Sequence, residues 1–203
     1  MLTLDHLAIS CTDLAEGTAA VEAALGLPLS PGGQHPHMAT HNRLLSLGPD
    51  LYLEVIAADP SQPRPAWPRW FDLDRFTGPP RLTNWICRTD DLDRELTHAP
   101  PGTGTPVALQ RGDFRWRMAV PETGILPFDN RFPALIEWEG RAHPAPRLLD
   151  LGARLTALHI THPDADALRT ALSRLKDHRV TVEQGAPALR ATIATPQGER
   201  LLA

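Results

Sequence analysis

Leu4-Asp5-His6-Leu7-Ala8-Ile9, followed by Thr12-Asp13-Leu14, is the stretch on which the fold turns. Apolar and polar residues alternate over 4–9 as in a half-buried strand. Thr12-Asp13 offers a helix cap, and Glu16, three residues after Asp13, completes a capping box. Leu14, Thr18, Val21 and Leu25 then share one helical face, until Gly26 and Pro28 end the helix. Pro31-Gly32-Gly33 predicts a turn. Beyond it, Asn42–Leu47, the turn Gly48-Pro49-Asp50 and Leu51–Ile56 read as a hairpin. The opening unit is therefore strand, helix, strand, strand.

Working outward, the series recurs. Leu82-Thr83-Asn84-Trp85-Ile86-Cys87 and Thr89-Asp90-Asp91-Leu92 echo the opening, with a short helix that Pro100-Pro101-Gly102 stops. Strands follow at Phe114–Val120 and Pro133–Trp138. A third, shorter unit holds strands at Leu155–Ile160, Val180–Val182 and Leu189–Ile193. Asp164 can cap a helix bearing Leu168, Ala171, Leu172 and Leu175, and Gly198 can turn the chain into Leu201-Leu202. Strand runs led by one helix define an α+β protein with antiparallel sheets. The expected plan is a first βαβββ module over 1–60, a connection over 61–81, a second module over 82–145, and a partial third βαβ-type unit over 146–203 packed on the same domain. The connection is rich in proline, yet it carries Trp67, Trp70, Phe71 and Phe76. A disordered linker rarely holds so many aromatics, so it reads as an ordered arm.

The chain has 203 residues, 42% hydrophobic and 22% charged, with a net charge of −4. These values exclude collagen-like, coiled-coil and wholly disordered classes. The net charge supplies no pull toward nucleic acid or anionic membrane. No apolar run approaches the ~20 residues that span a bilayer, and Met1–His6 lacks the features of a signal peptide. The expected location is the cytoplasm, with a small molecule as partner and a monomer or homodimer as the assembly. The two cysteines, Cys11 and Cys87, form no CxxC motif and read as small buried residues.

Two glutamates sit inside apolar strands. Glu54 shares a face with Tyr52 and Ile56, and Glu137 with Leu135 and Glu139. If the first two units pack as pseudo-symmetric halves, His6, Glu54 and Glu137 converge in one cleft. One imidazole and two carboxylates suit a divalent ion such as Zn, Ni, Mn or Fe, and either Glu54 or Glu137 can serve as the base. The position opposite His6 is Asn84 at an offset of about 78 residues, or Thr83 at about 77, and neither is a common transition-metal ligand. Salt bridges to arginine are the plain alternative for both glutamates. His35, His37 and His41 lie in a polar loop suited to substrate contact, together with Thr40 and Asn42. Trp85, Trp116 and Trp138 can line a pocket. No GxSxG elbow, Walker loop, HExxH or Rossmann fingerprint is present.

The pattern resembles the vicinal-oxygen-chelate superfamily, and within it the glyoxalase-like domain proteins. The residues carrying the resemblance are Leu4-Asp5-His6-Leu7 with Asp13-Leu14, then Gly32-Gly33-x-His35-x-x-Met38-Ala39-Thr40-x-Asn42, Leu47-Gly48 and Tyr52-Leu53-Glu54. Trp85-x-x-Arg88-Thr89-Asp90-Asp91-Leu92 and Trp138 with His143-Pro144 support it. The resemblance implies paired βαβββ modules whose sheets curl around a cleft. It also implies metal ligands at His6, Glu54, Asn84 and Glu137, with Asn84 departing from the pattern. Two function classes follow: a divalent-metal-dependent lyase, isomerase or dioxygenase acting on a small oxygen-rich substrate, or a metal-free small-molecule-binding or sequestering protein.

Overall fold

The computed structural model describes residues 1–140 and 142–203. The first half consists of β1 (Thr3–Ser10), α1 (Leu14–Leu25), β2 (Ser30–His35), β3 (Thr40–Ser46) and β4 (Tyr52–Ala58). Asp13 caps α1 by accepting the Glu16 N–H at 2.9 Å, and Gly26 ends it at φ +68°. The second half consists of β5 (Arg81–Arg88), α2 (Leu92–Leu96), β6 (Thr105–Arg111), β7 (Phe114–Val120), the single turn α3 (Pro127–Asn130) and β8 (Ala134–Trp138). Asp91 caps α2 as Asp13 caps α1.

These strands form one sheet in the order β2-β3-β4-β1-β5-β8-β7-β6. In each half the first strand runs parallel to the last, β1 with β4 and β5 with β8. The halves join through antiparallel β1 and β5, where His6 pairs with Ile86 and Ala8 with Asn84. A two-fold rotation that exchanges those pairs carries His6 onto Asn84, which selects the larger of the two offsets considered from the sequence. The sheet curls until its outer strands, β2 and β6, come into contact.

The third unit comprises β9 (Arg154–His162), α4 (Ala165–Ala171), β10 (Val180–Gln184), β11 (Ala188–Thr195) and β12 (Gly198–Leu202). Its order is β10-β9-β11-β12, with β9 parallel to β10 and antiparallel to β11. It is therefore a true βαβ crossover with a hairpin added, since here the helix leads to the parallel neighbour itself. In the first two units that neighbour comes last.

One face of the large sheet packs Leu7, Ile9, Leu53, Trp85 and Leu135 against α1, α2 and the four-stranded sheet. Leu7, Leu25, Leu53 and Leu158 are fully buried at this junction, each contributing about 1.5–3 kcal/mol. The other face carries Ala8, Ile56, Ile86, Trp116, Met118 and Ile136, and it is covered by Trp70, Phe71 and Leu73 of the connecting arm. The arm is thus ordered and fills the curl.

Three local readings need correction. Pro31-Gly32-Gly33 lies within β2, whose register shifts between Pro31 and Gln34. Strand β6 has little apolar alternation and escaped the pattern. Helix α4 stops at Ala171, short of Leu175, and Asp164 at its start makes no capping side-chain hydrogen bond. No helix among the described residues is long and apolar enough to cross a membrane.

Candidate functional site

Strand β1 does not simply alternate. Its register on β5 slips between Leu4 and His6, leaving Asp5 as the extra residue of a bulge. Leu4 and Leu7 therefore face the same core, and the consecutive side chains of Asp5 and His6 meet. Fully buried Asp5 accepts hydrogen bonds from His6 Nδ1 at 2.6 Å, Trp138 Nε1 at 3.0 Å and His143 Nε2 at 3.0 Å. Burial pushes its pKa upward, but the donors His143 and His6 outweigh that and hold the carboxyl well below the usual carboxylate range.

With Nδ1 paired to Asp5, His6 turns Nε2 toward Glu54, 3.7 Å from its Oε2. The His6 ring stacks on Tyr52, with centroids 4.4 Å apart. Burial, with Asp5 and Glu54 nearby, raises the Tyr52 phenol well above its ordinary value, so it stays protonated. Glu54 also accepts from Asn42 Nδ2. Period-two alternation on β4 and β3 brings Tyr52, Glu54, Thr40 and Asn42 to this face.

His35 closes the group from the end of β2. Its Nδ1 pairs with Thr40 Oγ1 at 3.0 Å, and its Nε2 accepts from Arg111 Nη1 at 3.2 Å. Arg111 can only donate, which assigns the proton to Nδ1. Burial first, then the Arg111 charge, holds the His35 pKa well below the ordinary histidine value, and the ring is neutral. Arg111 also donates to Asn42 Oδ1 at 3.2 Å. It reaches this half of the sheet because the strand edges meet and because Gly33 has no side chain. A Cβ at Gly33 falls 2.6 Å from Arg111 Cδ. At Gly32 a Cβ lands on the side-chain and main-chain oxygens of Asn42. The Gly32-Gly33 pair is a clearance for two neighbours.

His6, His35, Glu54 and Arg111 thus line one cavity, walled by Trp70, Trp116 and Trp138, with about 30 Å³ of free space. That holds one or two waters, because Trp70 and Phe71 fill the mouth.

The structure brings together His6, Glu54, His35, Asn42 and Trp138, with Thr40 behind His35. It separates the others. Glu137 lies between Ile136 and Trp138 and so points to the opposite face, where it pairs with Arg117 at 2.5 Å and accepts the Leu92 N–H at 3.0 Å. Trp85 is fully buried in the core beneath the sheet, its Nε1 donating to Arg131 O at 2.9 Å. His41 alternates with Asn42 and faces outward. His37 stacks on Trp67 at 4.6 Å, outside the cavity. Both thiols are buried, and burial, reinforced by Asp13, pushes Cys11 up to about 12. Arg111 was missed, since a lone arginine before a hairpin glycine carries no pattern. The one available hint was the Gly32-Gly33 pair, which implies close approach by something.

The donors present do not fit a transition ion. The first half offers His6 and Glu54, while both ring nitrogens of His35 are taken up by Thr40 and Arg111. The second half sets Asn84 opposite His6 and, by the parallel register, Ala134 opposite Glu54. A guanidinium lies in the same cavity. Among the described residues no group of three His, Cys, Asp or Glu side chains is arranged to hold a metal.

A family model described as "Glyoxalase-like domain" matches residues 4–176. Among solved structures, the chain is similar to a hypothetical protein from Staphylococcus aureus, at 12% identity and a TM-score of 0.59, covering 91% of this chain and 86% of that one. It is also similar to methylmalonyl-CoA epimerase from Streptomyces coelicolor, at 15% identity and a TM-score of 0.45 over 70% of this chain and 100% of that one. The Mycobacterium tuberculosis methylmalonyl-CoA epimerase gives 22% identity and a TM-score of 0.43 over 68% and 88%. No curated protein matches. The first likeness shows the fold, and the family model bears out the glyoxalase-like domain reading.

Proposed function

We propose, from the premise that the chain belongs to the glyoxalase-like domain family, that its cleft binds a small oxygen-rich carbonyl compound and moves a proton on the carbon beside the carbonyl without a metal ion. The observation carrying this reading is the convergence of an acceptor pair, His6 and Glu54, and a cation, Arg111, on one aromatic-walled cavity. Glu54 takes the proton from carbon. The electron pair moves onto the carbonyl oxygen, and Arg111, which has donors to spare beyond His35 and Asn42, stabilises that developing negative charge. Returning a proton to that carbon re-forms the carbonyl: on the same face it restores the substrate with its hydrogen exchanged, and on the opposite face it gives the epimer. His6 Nε2 accepts the proton from Glu54 or hands it back, and Asp5 holds the ring in the required tautomer. Entry of the substrate requires Trp70 and Phe71 to move out of the mouth, and their return excludes water.

The test uses chelator-treated protein in D₂O with 2-oxo acids, 2-oxoaldehydes and 1,3-dicarbonyls, following loss of the C–H proton signal by NMR. Exchange above the buffer rate, lost in Glu54→Gln and weakened in Arg111→Met, is the expected result. Exchange that appears only on adding Zn, Ni, Mn or Fe(II) returns the site to the metal-dependent class. Saturable binding without exchange favours the sequestering function, for which the wall of three tryptophans is the supporting feature.

A further inference from the structure

A second concave site lies where the second half of the large sheet meets the third unit. It has a volume of about 390 Å³, within the range of small-ligand sites. Arg81 at the start of β5, Arg131 just after α3 and Arg190 on β11 all line it.

Asp72 and Asp129 also line the pocket. Asp72 is tied to Arg75 at 2.7 Å, and Asp129 faces His162 at 3.3 Å. The carboxyl-terminal Ala203 also lines the pocket, its carbonyl taking the Leu82 N–H at 3.2 Å. Among the described residues none of Arg81, Arg131 and Arg190 forms an ion pair. Arg81 is spent on the carbonyls of Thr77 and Pro79 and on the Phe76 ring. Arg131 donates to the Thr83 carbonyl at 3.4 Å and the Pro187 carbonyl at 3.3 Å, both long, while its Nε is buried without a partner. Those bonds stitch the third unit to the sheet, and they set a half-buried guanidinium against carbonyls rather than in a direct ion pair. Burial opposes the charged form of Arg131, the nearby Asp129 carboxylate partly offsets that, and Arg81 adds to the opposition.

The backbone around the pocket is strained as well. Phe71, Asp72, Asp129 and Asn130 have φ between +52° and +65°, and all four line it. Such strain in residues other than glycine concentrates where a site is being held open.

We infer that this pocket binds the oxyanion group of a small molecule, a carboxylate or a phosphoryl group, on Arg131 and Arg190 with Arg81 at the rim. The inference stands independently of the chemistry proposed for the cleft. Phe71 lines both spaces, so an anion here bears directly on the turn that fills the cleft mouth.

The test is calorimetry and thermal shift on the full chain with inorganic phosphate and with benzoate, each against sodium chloride at equal ionic strength. Saturable stabilisation by either probe, absent with chloride, is expected. Arg190→Gln, on an exposed strand position, should weaken it at least fivefold, and Arg131→Gln should abolish it. Arg111→Met should leave it unchanged, which separates this pocket from the cleft. Response to phosphate alone assigns a phosphoryl group, and response to benzoate alone a carboxylate. Should Arg131→Gln fail to fold, Arg190→Gln and Arg81→Gln decide the matter. The proposal is overturned if neither probe acts beyond chloride, if Arg190→Gln and Arg81→Gln bind like the parent, or if Arg111→Met removes the effect.

Discussion

His6 and Asn84 exchange places under the two-fold that relates the halves of the large sheet, and only His6 has a lone pair fit for an ion. The asymmetry leaves the cleft with ligands on one side only. Dialysed protein is therefore expected to carry no stoichiometric metal. Addition of Zn, Ni, Mn or Fe(II) should not approach the ~2.7 kcal/mol of stabilisation that a ligand gives at 100 times its dissociation constant. Bound metal lost in both His6→Ala and Glu54→Gln would sink this reading.

Both polar atoms of the Asn84 side chain are buried without a hydrogen-bond partner. Each such group costs about 1–3 kcal/mol, whereas leucine is of similar size and needs no partner. Asn84→Leu should raise Tm by several degrees, at roughly 2–4 °C per kcal/mol for a chain of this length. A drop in Tm would mean that a water or a moving group satisfies the amide.

Acid should destabilise the fold in two stages. His35 is held neutral, with its folded pKa below the unfolded value. Its contribution is complete above about pH 6.5 and is lost as pH falls, because the unfolded chain takes up a proton that the folded site refuses. Asp5, also depressed, contributes fully above about pH 4 and loses that contribution below it. Asp5→Asn should cost about 3–5 kcal/mol at pH 7, as removal of one partner from a buried charged group does. The gap should close as pH drops below 4. Denaturant melts at pH 7, 5 and 3 measure it, and a gap independent of pH would contradict the ionised assignment.

The two adjacent glycines should respond differently to alanine. At Gly32 the added Cβ meets backbone, so the strand itself must shift, at a cost of about 1–3 kcal/mol. At Gly33 it meets the stem of Arg111, which can swing away. Gly33→Ala should keep most of the stability but lose carbonyl-compound turnover along with the displaced guanidinium. Equal stability losses for both would place the constraint elsewhere.

Glu54 and Glu137 should separate cleanly. Glu137 pairs with partly exposed Arg117 and accepts from the first turn of α2. Glu137→Gln should cost about 1 kcal/mol or less and leave proton exchange intact, whereas Glu54→Gln should abolish exchange. Loss of exchange in Glu137→Gln at full stability would return that residue to the site.

Much of this protein is legible along the chain, because the relevant contacts are local. Asp13 and Gly26 mark the ends of α1 through hydrogen bonds within a few residues. The repeated strand-helix series, with Asp13-Leu14 matched by Asp91-Leu92, declares the two halves. His6 and Glu54 announce themselves as polar residues in apolar strands, and Asn42 and His35 as polar residues after the Gly32-Gly33 pair, although the sequence reads the stretch around His35 as a loop and the structure places it at the end of β2. What alternation cannot reveal is parity. A single bulge at Asp5 turns two neighbours to one side, and one residue of register decides that Ile136 faces the cleft while Glu137 faces away. Trp85 likewise falls beneath the sheet.

The sequence by itself thus determined most of the elements, their repetition and much of the first half's polar group. Only the tertiary structure decided which face each strand presents, that Arg111 arrives from the far edge of the sheet, and that Trp70 closes the mouth. The reason is physical. Caps and periodicities are set by interactions over a few residues. Register, curl and edge closure are set by pairing and packing between segments far apart in the chain, where a shift of one residue inverts the outcome.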